Sequence, residues 1–335
     1  MVLEAAPRRR LLVAVGVAFV LVLAVGAAMP LIGSASIDPR KAMEGLSPHR
    51  EILFYVRLPR VLLALLAGGG LALAGVTFQA LVRDALADPY TLGVSSGASL
   101  GAVLAICLGW RQAAHLPAVT LSAFAGAALT LLLVILIASR GARLSSFTLL
   151  LAGITINSIS VALILFLHNL ADFSQSFAIS RWLMGGIEVV EYPSIAALAL
   201  LIFVIAAYLF AGARQWNLLA VGEEWAAARG VAVSRLMLGG FLAGSLLTGA
   251  ITAVTGPIGF IGLIVPHAVR LALGADHRAV IPVSCLTGAA FLAVCDTVAR
   301  TALAPTEIPV GVITAMLGGP FFIWLLRSRR GSLWI

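Results

Sequence analysis

The chain of 335 residues contains long stretches without a single charged side chain. They cover residues 11–32, 61–82, 89–110, 116–139, 192–213 and 308–326. The hydrocarbon core of a bilayer is about 30 Å thick, and a helix needs about 20 residues to cross it. Because these stretches approach or exceed that length, and because 61% of all residues are hydrophobic, the sequence predicts a membrane protein that crosses the bilayer many times.

The hydropathy pattern predicts an all-α fold with ten transmembrane helices per subunit, all in a single transmembrane domain over residues 1–335. The predicted spans are 11–32, 58–82, 91–110, 116–139, 147–168, 192–212, 236–255, 258–269, 279–299 and 308–326. The eighth span is short. The uncharged region 236–266 is too long for one straight span and too short for two, so we expect a full helix and a partial helix separated at Gly256-Pro257.

An even number of spans places both termini on one side of the membrane. With the amino terminus inside, the segments on that side hold more basic residues than the outer segments do. Cytoplasmic loops carry an excess of Lys and Arg, so we expect a multi-pass protein of the bacterial inner membrane, surrounded by lipid, with both termini in the cytoplasm. The net charge of +8 then reflects orientation, and we expect no nucleic acid as a partner.

The residues that catalysis or nucleotide binding would need are missing from the sequence. A phosphate-binding loop of the GxxxxGK[ST] type requires a lysine, and Lys41, the one lysine of the chain, lies in no such motif. Residues 93–97 match GxSxG, but they open a glycine-rich membrane helix instead of a strand–turn–helix. His267 and His277 are too far apart to be two ligands on one helical face. We therefore predict no catalytic residue, no metal site and no cofactor bound by this chain.

The polar segment 222–235 predicts a short amphipathic helix that ends at Gly230, with a second helix starting at Ser234. By the parity of the spans this segment is cytoplasmic. A short helix, a glycine and a second helix on the inner face suit docking into the cleft of a partner protein, although a solvated loop is the alternative.

Ordered motifs run through most of the chain. They are Arg57-Leu-Pro-Arg60, the run from Gln79 to Pro89, Leu92-Gly-Val-Ser-Ser-Gly-Ala98, Leu150-Leu-Ala-Gly153, Trp182-Leu-Met-Gly185, the run from Gly259 to His267, Asp276-His-Arg278, Asp296-Thr-Val-Ala-Arg300, Glu307-Ile-Pro-Val-Gly311 and Leu317-Gly-Gly-Pro-Phe321. In order and spacing the chain resembles the FecCD-type permeases (the BtuC type), the membrane subunits of type II ABC importers for vitamin B12, haem and ferric siderophores. The resemblance covers about residues 50–326.

The resemblance implies a homodimer that works with two cytoplasmic ATPase subunits, which bind ATP and Mg, and with a substrate-binding protein on the outer face. It assigns residues to three tasks. Docking of the binding protein falls to Arg57, Arg60 and Arg300; ATPase coupling to Gly222, Glu223, Glu224, Ala227, Arg229 and Gly230; and the cytoplasmic gate to Asp84, Leu86, Ser145 and Ser146. Many relatives have Asn-Pro where this chain has Asp84-Ala85, which places an acidic group at the gate.

The same resemblance indicates import of a bulky iron chelate by alternating access, with haem as the first choice and a ferric siderophore or cobalamin as alternatives. The ranking of haem as the first choice of cargo rests on Arg181. It falls where the family has a short helix at the outer mouth of the translocation path, and a cation there suits an anionic cargo. Snorkelling, or pairing with Glu188 or Asp172, is the alternative role. A stand-alone secondary transporter is the rival of another class.

Overall fold

The computed structural model describes residues 8–90, 92–110, 112–113, 116–140 and 143–328. The helices are α1 (Arg8–Ala28), α2 (Pro39–Met43), α3 (His49–Glu51), α4 (Leu58–Val82), α5 (Val94–Cys107), α6 (Ala118–Ala138), α7 (Ser146–Leu170), α8 (Phe173–Leu183), α9 (Tyr192–Ala211), α10 (Ala213–Val221), α11 (Glu223–Ala228), α12 (Val233–Thr255), α13 (Ile261–Leu273), α14 (His277–Thr301) and α15 (Val310–Ser328). A 3₁₀ turn (Met29–Leu31) follows α1, and a π-helical segment (Ile52–Arg57) joins α3 to α4.

Two short antiparallel strand pairs flank α6. Strand β1 (Gln112–Ala113) pairs with β2 (Leu116–Pro117), and β3 (Ser139–Arg140) pairs with β4 (Arg143–Leu144). Each strand has only two residues, so these two-stranded pairs leave the architecture of the described chain helical. The predicted all-α class is therefore confirmed for the described part of the chain.

Within the described residues, seven helices are long and apolar enough to cross a membrane. They are Arg9–Leu31, His49–Val82, Ala118–Ala138, Ser146–Leu170, Tyr192–Ala211, Val233–Thr255 and His277–Thr301. Three further apolar helices are shorter, namely Val94–Cys107, Ile261–Leu273 and Val310–Trp324. Each predicted span overlaps one of these segments. Length and composition support a crossing for the longer group alone, so the count of ten spans stays a prediction.

The predicted break between α12 and α13 is confirmed. Helix α12 ends at Thr255, and Gly256 has φ +66°, a left-handed conformation that favours glycine. The short span predicted near residues 258–269 overlaps α13, which begins at Ile261 and ends at Leu273. Phe260 also has a positive φ, +72°, so the chain stays non-helical until that residue. A backbone conformation of this kind leaves no trace in hydropathy.

Helix α4 forms the centre of the bundle, in contact with α12, α13 and α14. Its glycines let neighbouring backbones touch: a Cβ atom added to Gly75 would lie 1.8 Å from the carbonyl oxygen of Gly262. At Gly68 the added atom would lie 2.2 Å from the carbonyl oxygen of Gly288. Small residues allow close helix approach where lipid offers little hydrophobic drive for association. The glycines of α4 therefore allow it to pack closely against α13 and α14.

The replacement Gly75→Ala is expected to lower the thermal stability of the purified protein, because the added methyl group forces α4 and α13 apart. Overpacking of this kind costs typically about 1–3 kcal/mol. The matched control is Gly16→Ala in α1, where an added Cβ has no neighbour within 4 Å. Unfolding in detergent, followed by tryptophan fluorescence, should show a lower midpoint for the first variant alone. Equal midpoints would contradict the close approach.

Candidate functional site

The residues predicted for docking and for the gate lie at opposite ends of α4. Arg57 and Arg60 flank its first residue, and Arg83 follows its last. The helix has 25 residues, which corresponds to about 37 Å at the usual rise of 1.5 Å per residue. The two groups are therefore separated by roughly the thickness of a membrane.

Helix α11 is the short helix that the sequence predicted in segment 222–235. Gly230, which follows it, has φ +81°, the left-handed conformation expected there. Glu224, Ala227, Arg229 and Gly230 are exposed, whereas Ala226 is buried against the bundle. The helix thus has one exposed face, and its other face packs against the bundle.

Trp225 belongs to the same exposed face, and the site residues chosen from sequence do not include it. Its side chain is 60% exposed, and the guanidinium carbon of Arg229 lies 5.5 Å from the centroid of its ring. Exposed aromatic and arginine side chains are enriched at the centres of protein interfaces. An aromatic residue in a polar amphipathic helix was the sequence feature that could have revealed it.

Glu223 connects α11 to the gate region. Its Oε1 atom lies 3.0 Å from Nη2 of Arg83 and 3.1 Å from the hydroxyl oxygen of Ser146. The Ser146 hydroxyl also lies 2.8 Å from the carbonyl oxygen of Leu81, and its one hydrogen can be donated to either acceptor. One carboxylate therefore joins the start of α11, the end of α4 and the start of α7. The sequence placed Glu223 and Ser146 in separate groups and omitted Arg83.

Arg83 also directs the chain into the gate segment, residues 84–90. It has φ +57°, an uncommon conformation for a residue with a side chain, and the helix ends there. Asp84 then closes a tight turn, because its Oδ1 accepts a hydrogen bond of 2.8 Å from the backbone N–H of Leu86. An asparagine would offer the same acceptor. The departure from the family pattern at Asp84 therefore preserves the turn.

Exposure differs along the gate residues. Asp84, Leu86 and Ser145 are exposed, while Ser146 is buried. Further along the segment, burial raises the pKa of Asp88 to about 7, even though the backbone N–H of Tyr90 donates a hydrogen bond to its carboxylate. The gate residues lie on one loop and at the start of the neighbouring helix, as the resemblance implied, but their role as a gate stays a prediction.

A second polar network fixes α10, the helix that leads into α11. Asn217 donates a hydrogen bond of 2.9 Å to Asp276, and its carbonyl oxygen accepts one of 2.8 Å from the backbone N–H of His277. Burial alone would raise the pKa of Asp276, but the hydrogen bonds from Arg278 and Asn217 lower it to about 2. Asp276 is therefore charged at neutral pH. The network anchors α10 to the start of α14, a contact that sequence spacing does not show.

At the other end of α4, Asp296 of α14 is the centre of a buried charge cluster. Its side chain is 1% exposed and lies 3.0 Å from Nη2 of Arg60 and 3.7 Å from Nε of Arg300. Glu307 adds a second carboxylate 2.9 Å from Nη1 of Arg60. Removing one member of such a cluster leaves another charge buried without compensation, which is strongly destabilising.

Arg57 and Arg300 also hold the connection that follows α1. Arg57 donates to the carbonyl oxygens of Pro30, Leu31 and Ala35. Arg300 donates a hydrogen bond of 2.7 Å to the carbonyl oxygen of Met29. Both arginines are buried, so their charge is directed inward, although the sequence analysis expected it to face a binding protein. The docking role of Arg57, Arg60 and Arg300 stays a prediction.

Arg181 lies in the last turn of α8, a short helix as the family pattern implied. It is exposed, and among the described residues it forms no ion pair with Asp172 or Glu188. Asp172 instead caps the start of α8 and accepts a hydrogen bond of 2.8 Å from the backbone N–H of Gln175. The pairing that we considered as the alternative role of Arg181 is therefore not observed.

The described residues contain no group of three or more His, Cys, Asp or Glu side chains that could hold a metal ion. The GxSxG motif opens α5, and Ser95 is 1% exposed. A nucleophile elbow requires a strand–turn–helix and an accessible serine. The geometry at Ser95 does not fit that chemistry.

Comparisons with known proteins agree with this architecture. The profile of the FecCD transport family matches residues 17–328. A relative from Bacillus subtilis, the ABC transporter permease protein YvrB, whose function is uncharacterised, is 41% identical over 85% of this chain and 81% of the relative. The hemin transport system permease protein HmuU of Yersinia pestis is 40% identical over 84% of each chain. The cobalamin import system permease protein BtuC of Halobacterium salinarum is 42% identical over 82% of this chain and 73% of the relative.

A solved structure shares the fold over nearly the whole length. It is an inward-facing conformation of an ABC transporter provisionally assigned to the metal-chelate type, with a TM-score of 0.83 and 30% identity over 94% of this chain and 98% of that chain. The family predicted from the ordered motifs is confirmed: the chain belongs to the FecCD transport family.

Proposed function

We propose that this chain is the membrane permease subunit of an ATP-driven importer, which carries a bulky iron chelate to the cytoplasm by alternating access. Two copies would form the pathway, two ATPase subunits would bind ATP and Mg, and a substrate-binding protein would deliver the cargo at the outer face. Both termini would lie on the cytoplasmic side of the inner membrane. The relatives named as permeases of ABC, hemin and cobalamin systems support this role.

The contact between Glu223 and the pair Arg83 and Ser146 carries the proposal. Helix α11 has an exposed face, and its first residue contacts Arg83, which leads from α4 into the gate segment, and Ser146 at the start of α7. A displacement of α11 by a docked ATPase would therefore pull directly on the end of α4 and the start of α7. This is a short mechanical route from a site of ATP hydrolysis on another chain to the gate.

The ion pair between Arg83 and Glu223 is exposed enough to alternate between a formed and a broken state. The side chains of Arg83 and Glu223 are 38% and 33% exposed, and exposed ion pairs contribute about 0–1 kcal/mol. A contact of that strength can break and form again during each transport cycle. The buried ion pairs around Asp296 at the other end of α4 cannot break reversibly in this way, because breaking them would leave a buried charge without compensation.

The replacement Glu223→Gln is expected to reduce substrate uptake per ATP hydrolysed by about two- to fivefold, because the ion pair with Arg83 is lost. Folding and ATPase association should persist, since the glutamine is nearly isosteric. Adding Arg83→Gln to this variant should cause little further loss, because both changes remove the same interaction. The measurement is uptake and ATP hydrolysis in proteoliposomes that contain the full complex.

The control for this test is Glu191→Gln, which deletes an exposed carboxylate at the start of α9, outside the coupling and gate residues. Its ratio of uptake to hydrolysis should equal that of the wild type. Effects of Glu223→Gln and Arg83→Gln that simply add would contradict the proposed link, as would a wild-type ratio in Glu223→Gln.

For the binding protein, we propose that the outer face attracts acidic groups through the connection between α1 and α4. Arg40, Lys41 and Arg50 are exposed on this connection, alongside the acidic Glu44 and Glu51. Arg57 and Arg300 hold the connection from the inside. Complementary charge at an interface accelerates association and sets orientation more than it adds affinity. Arg57, Arg60 and Arg300 would thus stabilise the shape of this face. The exposed basic residues would make the initial contact with the binding protein.

The double replacement Arg40→Glu, Arg50→Glu is expected to slow association of the binding protein by about tenfold or more at low salt, through like-charge repulsion. Association with the wild type should itself slow as the salt concentration rises. Stopped-flow association kinetics measure both effects, with Arg235→Glu at the opposite end of the bundle as the control. Rates that are insensitive to salt and to the double reversal would refute the docking face.

Haem is our first choice of cargo, and Arg181 is the residue that supports it. The side chain is exposed and, among the described residues, forms no ion pair with Asp172 or Glu188, so its charge is available to an anionic group such as a propionate. A ferric siderophore or cobalamin is the alternative cargo. The hemin and cobalamin systems named among the relatives are compatible with either choice.

The replacement Arg181→Ala is expected to slow haem uptake a few-fold while leaving basal ATP hydrolysis and binding-protein docking unchanged. Arg181→Lys should recover part of the rate, because it keeps the charge but loses the planar donor fork of arginine. Initial uptake is measured per folded dimer. A purely structural role would instead lower thermal stability and leave the normalised rate unchanged, which would remove the reason for ranking haem first.

The proposed function is tested by reconstituting the chain with its ATPases and binding protein in liposomes and supplying haem, several ferric siderophores and cobalamin in turn. ATP-dependent uptake of one of them is the expected result. The rival from another class, a stand-alone secondary transporter, predicts uptake by the chain alone under an ion gradient and without ATP. That result would overturn the proposal.

A further inference from the structure

A groove of about 1070 Å³ lies between α1, α13 and α14, away from the gate and from the charge cluster. Its walls are apolar except for Thr287 and for Arg9 and Arg10 at the start of α1. The Thr287 hydroxyl donates a hydrogen bond of 2.7 Å to the carbonyl oxygen of Val283 within its own helix. Among the described residues that line it, the groove therefore offers no polar group in need of a partner apart from the two arginines.

Small side chains make the groove possible. Ala268 and Ala272 of α13 face Ala290 of α14 across it, so these helices leave space where larger residues would meet. Helix α1 closes the side of the groove with Val13 and Val17, which are 58% and 65% exposed. An apolar space of this size along membrane helices has the character of a site for hydrocarbon chains.

Arg9 and Arg10, at one end of the groove, indicate which kind of amphiphilic molecule the groove can bind. Arg9 and Arg10 are exposed, and among the described residues neither forms an ion pair. The neighbouring cations on α13 and α14 are engaged elsewhere: Arg270 donates to Gln79, and Arg278 pairs with Asp276 at 2.7 Å. Within the part of the chain that the structure describes, the two guanidinium groups thus lie at the mouth of an apolar groove without an ion-pair partner.

We propose that this groove binds an anionic phospholipid, with its acyl chains along α1, α13 and α14 and its phosphate held by Arg9 and Arg10. Guanidinium groups bind phosphate through paired, charge-assisted hydrogen bonds. Basic pockets between membrane helices on the cytoplasmic side favour anionic headgroups, and the cytoplasmic leaflet is rich in anionic lipids. The assignment rests on the proposed membrane permease role and on its orientation, with the start of α1 inside.

Lipid retention tests the site without a transport assay. The full chain is placed in nanodiscs that contain equal parts phosphatidylglycerol and phosphatidylcholine, transferred to detergent, and the bound lipids are measured by native mass spectrometry. We expect selective retention of phosphatidylglycerol. The double replacement Arg9→Gln, Arg10→Gln should lower this selectivity by about tenfold or more, since each cation near a membrane surface adds about a fivefold preference.

Two variants separate headgroup and acyl-chain binding. Arg214→Gln, Arg235→Gln removes two exposed arginines that do not line the groove, and it should retain phosphatidylglycerol as the wild type does. Ala268→Trp fills the groove and should reduce retention of both lipids. Equal retention of the two lipids by the wild type would overturn the proposal, as would equal loss in the groove and control arginine pairs.

A second copy of the chain is the other possible occupant. Val17→Cys places a thiol in the groove. Oxidative cross-linking of this variant in nanodiscs, with the unmodified chain as control, detects a second copy of the chain at this position. A disulfide-linked dimer would show that protein covers the groove and would refute the lipid site. Because none of these measurements uses ATP or cargo, failure of the lipid site and failure of the importer role give different results.

Discussion

The backbone contact of α4 with α13 and α14 is the interaction on which the rest of the structure depends. Gly75 and Gly68 bring the central helix against the carbonyl oxygens of Gly262 and Gly288, at distances that no side chain permits. In a bilayer, dispersion contacts of this kind replace much of the hydrophobic drive that packs soluble proteins. The position of α4 is thereby set, and with it the position of the two polar clusters at its ends.

The two clusters use charge in opposite ways. At the start of α4, Asp296 is buried between Arg60 and Arg300, so its ion pairs cannot be exchanged for water without a large cost. At the end of α4, Glu223 pairs with Arg83 at a half-exposed surface, where a contact is weak and readily broken. The first arrangement is fixed, whereas the second can break and form again, as our proposed coupling of α11 to the gate requires.

This contrast changes how the basic residues of the outer side are interpreted. The family resemblance assigned Arg57, Arg60 and Arg300 to a partner. The structure gives Arg57 and Arg300 carbonyl partners in the connection after α1. An arginine motif at a membrane surface can therefore serve the fold, and under our docking proposal the exposed neighbours Arg40 and Arg50 contact the partner instead.

The sequence by itself determined the membrane class, the helical architecture, the break at Gly256 and the family, because uncharged runs, glycine spacing and ordered motifs are local properties of the chain. It also identified α11 and its left-handed Gly230. Only the tertiary structure decided which charges meet: Glu223 with Arg83, and Asp296 with Arg60, are 140 and 236 residues apart. The groove at Arg9 and Arg10 likewise depends on how three helices pack. Such contacts arise from helix packing across the whole bundle, and no local pattern in the sequence specifies them.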